Sequence, residues 1–83
     1  MKAEKRMLDQ LKEIDRLDKL SDKLDEEGRE DESMEAYHKM WEITKDVASL
    51  ISRSTFGQIT EKTATWMVFH QREKLIALCK RYA

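Results

Sequence analysis

The chain reads as an all-α protein: a small three-helix antiparallel bundle built from a long helical hairpin and a C-terminal helix. Three observations predict this. Apolar residues recur at spacings of three and four over most of the 83 residues. Proline is absent, and Leu, Met, Glu and Lys, all good helix formers, abound. The two glycines, Gly28 and Gly57, fall where the periodicity breaks. The length fits one domain spanning 1–83.

The first helix is predicted over 2–27. Its apolar positions are Met7, Leu8, Leu11, Ile14, Leu17, Leu20 and Leu24, one helical face. The run Leu11, Ile14, Leu17, Leu20 advances by threes, so its stripe drifts round the helix toward a crossing neighbour. Asp15 and Lys19 form a favourable i,i+4 pair. Asp18 with Asp22 and Lys19 with Lys23 oppose like charges, so packing rather than charge must hold this helix.

A break follows around Gly28, which suits the left-handed position just past a helix end. Asp31 or Ser33 is the expected cap of the next helix. A connection this short makes the two helices antiparallel.

The second helix is predicted over 32–53. Met34, Tyr37, Trp41, Thr44, Ala48 and Ile51 form one seam, and Ala36, Met40, Ile43, Val47 and Leu50 form another beside it. Two adjacent seams are too broad for a single neighbour, so this helix should sit at the centre. The next interruption holds a possible capping box, Thr55 with Gln58, and Phe56 and Ile59 to pin the turn.

The last helix is predicted over 61–82, with Val68, Leu75, Leu78, Cys79 and Tyr82 on one face. Two residues break its pattern. Trp66 falls on the polar arc, and Arg72 falls within the apolar stripe.

Composition narrows the function classes. Charged residues are 40% of the chain yet nearly cancel, to a net of −1. That balance, with this much apolar content, excludes a disordered acidic tail. No apolar run is long enough for a membrane span, and no signal peptide is evident behind the basic N-terminus. One cysteine, Cys79, allows no internal disulfide, which fits the reducing cytoplasm.

Candidate chemistry is sparse. Glu35 and His38 form one E-x-x-H pair, but bundle di-metal sites need two such pairs and further inward carboxylates. Cys79 lies on an apolar stripe, whereas a reactive thiol needs an exposed, electropositive setting. No phosphate-binding glycine loop or nucleophile elbow is present. The expectation is therefore no catalytic centre, no metal and no cofactor.

Two binding readings remain. Residues 50–72 could form a helix, a turn with Gly57 and a recognition helix, as in small DNA-binding transcriptional regulators. The basic balance of 56–83, five bases against two acids, agrees with it. Yet that helix would open with Glu61 and a single cation, Lys62. The leading reading is a non-catalytic protein-interaction module: a small adaptor, regulator or inhibitor, of the sort bacteria and phages encode. Aromatic, Met and Arg residues are enriched at interface centres. Trp66, Met67, His70 and Arg72 are thus the candidate contacts on the last helix. Around the first turn, eight acids face two bases over 22–35, and Glu26, Glu27, Glu30, Asp31 and Glu32 offer an acidic surface to a basic partner. Apolar face in excess of what three helices cover predicts a homodimer or a protein partner.

Residues 20–43, reading LSDKLDEEGREDESMEAYHKMWEI, resemble the helical hairpin of tetratricopeptide-like and microtubule-interacting-and-transport modules. In those a turn glycine is followed by an acidic cap and an E-A-x-x-x-[YH]-type helix. The likeness covers under a third of the chain, and not all small and aromatic positions of those repeats are present. It implies an antiparallel hairpin and no particular ligand.

Overall fold

The structure, a computed structural model, describes residues 3–53 and 59–82. Helix α1 (Ala3–Glu26) and helix α2 (Glu30–Ser52) form an antiparallel hairpin. Helix α3 (Glu61–His70) packs on α2, and helix α4 (Arg72–Tyr82) packs on α1. The fold is the expected all-α bundle, and the described residues contain no strand.

Gly28 turns the hairpin. Its φ of 77° lies in the left-handed region, which costs glycine nothing. The Arg29 amide donates to the Leu24 carbonyl at 2.9 Å and the Gly28 amide to that of Asp25 at 3.0 Å. These two bonds are a Schellman end, satisfying carbonyls that α1 would otherwise leave open.

Helix α2 starts two residues earlier than expected, with Glu30, Asp31 and Glu32 in its first turn, where acids suit the positive end of the helix dipole. Neither Asp31 nor Ser33 caps it. The cap position is Arg29, with no side-chain cap bond. Ser33 is instead buried inside α2 and clamps the hairpin. Its hydroxyl donates to the Ser21 carbonyl at 2.9 Å and lies 3.0 Å from the Ser21 hydroxyl. Toward the other end, Arg6 pairs with Asp46 at 3.2 Å. Both contacts are consistent with the antiparallel register that the shared α1–α2 core imposes.

The stretch predicted as one helix over 61–82 is two. Thr60 caps α3 by accepting the Thr63 amide at 3.2 Å. The expected capping box at Thr55 and Gln58, and Phe56, lie outside the described residues. At Gln71 (φ −135°, ψ 37°) the helix breaks. Arg72 explains how the corner is tolerated. Its Nε donates to the Val68 carbonyl at 3.1 Å, the acceptor its own amide would meet in an unbroken helix. The corner lets α3 cover α2 while α4 covers α1.

The core draws on all four helices. Met7, Leu11 and Ile14 of α1, Met40, Val47 and Ile51 of α2, Val68 of α3 and Leu75 and Cys79 of α4 are fully or almost fully buried. Each large side chain so buried contributes about 1.5–3 kcal/mol relative to exposure. Buried Thr44 donates to the Met40 carbonyl at 2.7 Å, so its hydroxyl carries no unmet hydrogen bond. The drift of the leucine stripe has a visible purpose: α1 touches both α2 and α4. Centrality is therefore shared between α1 and α2 rather than held by α2 alone.

Candidate protein-binding surface

Large apolar side chains left in solvent mark where a small bundle can bind. Among the described residues three stand out: Met34 at 55% exposure, Trp66 at 51% and Tyr37 at 40%. Ring contacts join the two helices that carry them. Tyr37 meets Trp41 edge-on with ring centroids 6.4 Å apart. Trp41 meets Phe69 of α3 at 5.0 Å. Trp66, three residues before Phe69, stacks on His70 at 4.9 Å. An aromatic ladder from Tyr37 through Trp41 to Phe69 thus crosses from α2 to α3; Met34 precedes Tyr37, and Trp66 precedes Phe69, by three residues on the same helices.

The fold accounts for this exposure. Met34, Tyr37 and Trp41 follow spacings of three and four on α2, the spacing that reads as a buried seam. Helix α3 covers that seam only as far as Trp41, because it ends at His70 and the chain turns onto α1. Beyond Trp41 the seam is only partly covered, with Tyr37 40% and Met34 55% exposed. Trp66 and His70 lie on the side of α3 opposite the buried Ala64 and Val68.

The residues singled out from sequence divide into three groups. Trp66 and His70 stack on each other on α3, both exposed. Met67 is partly buried against the core. Arg72 has an inward task. Its side chain is 11% exposed, and Nη1 donates to Asp15 Oδ1 at 2.9 Å and Asp18 Oδ2 at 3.1 Å. That guanidinium ties α4 to α1 and is not offered to solvent.

The acidic residues Glu26, Glu27, Glu30, Asp31 and Glu32 are all exposed at the hairpin turn. Arg29 sits among them, donating through Nε to Glu32 at 2.9 Å and through Nη1 to Glu27 at 3.3 Å. Glu32, and less so Glu27, raise the Arg29 pKa above its ordinary value. The local charge that remains outward is carried by Glu26, Glu30 and Asp31.

A shallow groove of about 400 Å³ lies between α1 and α2, floored by Leu17, Leu20, Leu24, Ala36 and Ile43. Its floor is largely closed already, with Leu17 at 4% and Leu24 at 7% exposure. Its rim charges pair within the chain: Glu13 with Arg16 at 2.7 Å and Glu35 with Lys39 at 3.8 Å. The Arg16 hydrogen bond holds the Glu13 carboxyl below its usual range. The groove therefore offers a partner less apolar area than the ladder does.

His38 is exposed and Glu35 pairs with Lys39, so the E-x-x-H pair converges on nothing. No three His, Cys, Asp or Glu side chains among the described residues gather as metal ligands. Cys79 is fully buried. No helix among the described residues is long and apolar enough to cross a membrane.

Sequence reading missed Met34 and Tyr37 as surface residues. The signal that could have found them was the length of the Met34–Trp41 seam set against a shortened third helix, and the break at Gln71 hid it. No known protein family matches the chain, and neither a curated protein nor a solved structure is detectably similar to it.

Proposed function

We propose that this chain is a non-catalytic protein-interaction module that binds another protein chain through the Met34–Tyr37–Trp41–Phe69–Trp66 surface. One observation carries the reading: three large apolar side chains, two of them aromatic, stand 40–55% exposed on the two helices that the Tyr37–Trp41–Phe69 contacts join. Tyr and Trp suit such a role. Each brings a large rigid apolar area, a polar handle and few torsions to freeze on binding. The role is that of a small adaptor, regulator or inhibitor acting in the cytoplasm.

Duplex binding is the weaker reading. The open positions of α3 are Glu61, Lys62, Thr63, Trp66 and His70, with one permanent cation among them. A helix that docks in a groove needs several phosphate contacts, and those dominate its affinity.

The test is capture of partners from the native host with the tagged chain after nuclease treatment, comparing wild type with the Tyr37→Ala/Trp66→Ala double variant. Captured protein should survive nuclease and fall at least tenfold with the variant. Circular dichroism should stay unchanged, because both side chains are only half covered. Undiminished capture by the variant, or loss of every partner on nuclease treatment, would contradict the reading.

A further inference from the structure

We infer that the occupant of the aromatic surface is a second copy of this chain, seated antiparallel across a twofold axis between Tyr37 and Trp41. The inference rests on the reading of the ladder as the binding face. It names the partner from the charge at the ladder's two ends.

Along α2 the stripe runs Glu30 and Asp31, then Met34, Tyr37 and Trp41, then Lys45. Successive members are three or four residues apart, so they share one side of the helix. Helix α3 runs back antiparallel to α2, since Phe69 near its end meets Trp41. Its outer positions Lys62, Trp66 and His70, spaced by fours, therefore place Lys62 toward the Lys45 end. The surface is acidic at the hairpin turn and aromatic in the middle, and its far end carries Lys45 and Lys62, with the exposed acids Glu42 and Glu61 beside them. Glu30, Asp31, Lys45 and Lys62 are all exposed.

A twofold contact is self-complementary: whatever one copy presents at a position, the other presents at its mirror in register. Asp31 and Lys45 are 14 residues apart on one helix, about 21 Å at 1.5 Å per residue. Their midpoint falls between Tyr37 and Trp41. An axis there sets Glu30 and Asp31 of each copy against Lys45 and Lys62 of the other. It also sets Tyr37 of each copy beside Trp41 of the other. The same surface aligned in parallel would oppose like charges at both ends. The aromatic centre supplies the affinity, and the end charges choose the register. A stable dimer draws about 800 Å² from each partner.

The test uses two charge variants of the full chain, followed by sedimentation equilibrium at micromolar concentration. The first variant is Lys45→Glu/Lys62→Glu, which makes both ends acidic. The second is Glu30→Lys/Asp31→Lys, which makes both ends basic. All four positions are exposed, so each variant should fold, and circular dichroism checks this. Wild type should be a dimer. Each variant alone should self-associate at least tenfold more weakly, and the one-to-one mixture should recover a mixed dimer. A mixture no tighter than its components would overturn the proposed pairing. A wild-type monomer that still captures other protein in a Trp66-dependent way would overturn the second copy as occupant and leave the binding face standing. A wild-type monomer whose capture ignores Tyr37 and Trp66 would overturn both.

Discussion

Leu11→Ala is expected to cost about 3 kcal/mol of stability, in the lower half of the range for a leucine cut to alanine in a packed core. Leu11 is fully buried on α1, in a core that draws on all four helices. The cavity cannot be refilled cheaply, because its walls belong to several helices packed into one shared core. A chain of 83 residues has roughly 4–12 kcal/mol to lose. The melting temperature should therefore fall by about 15 °C. Leu20→Ala, in the outward groove, provides the contrast: Leu20 is only partly buried, and its loss should cost about 1 kcal/mol. Thermal denaturation followed by circular dichroism measures both. Equal losses at the two positions would mean that the core lies elsewhere.

Arg72→Met should lower stability by about 2 kcal/mol at neutral pH, the scale of hydrogen bonds to charged groups. Methionine keeps much of the stem's packing, so the loss reports the guanidinium. Asp15 and Asp18 keep 37% and 41% of their side-chain surface in solvent, so they rehydrate once abandoned, which holds the cost below that of a buried pair. The Val68 carbonyl at the corner also loses its donor. A fall of about 10 °C in melting temperature is expected. The acid dependence should change with it. The Asp15 carboxyl is held below its usual range, first by its hydrogen bond from Lys19 and then by Arg72. Burial opposes both. As pH falls, the unfolded chain therefore takes up this proton before the folded one. The stabilisation is complete above the ordinary carboxylate pKa and is lost as pH drops through the depressed value. Wild type should lose melting temperature more steeply than the Arg72→Met variant between about pH 5 and pH 3. The slope left in the variant belongs to Lys19. Identical slopes would mean that Arg72 contributes nothing to the pair.

The hairpin was legible because local chemistry dictates it. Gly28 sits where a left-handed residue closes α1, and the leucines at threes and fours have one side to bury. The paired serines were misread. Ser33 has the chemistry of a helix cap, and nothing local says that Ser21, twelve residues earlier, will meet it. The break at Gln71 carries no proline or glycine and falls inside an otherwise helical pattern. Arg72, which covers the Val68 carbonyl there, is held by Asp15 and Asp18, 57 and 54 residues distant in sequence. The oddity of Arg72 in an apolar stripe was visible, and only its partners were not. The binding surface follows the same division. Trp66 on the polar arc of its helix was readable as an outlier. Met34 and Tyr37 obey the periodicity of a buried seam and are exposed only because α3 stops short of them.

Hydroxyl-radical footprinting tests the central claim most directly. The chain would be labelled at high dilution and again in its complex, whether with a second copy or with a captured protein. Met34, Tyr37 and Trp66 should be reactive in the dilute chain and protected together in the complex, while Leu20 and Ile43 in the α1–α2 groove keep their reactivity. Protection of Leu20 and Ile43, with Met34, Tyr37 and Trp66 unchanged, would place binding on the opposite side of the hairpin and contradict the account.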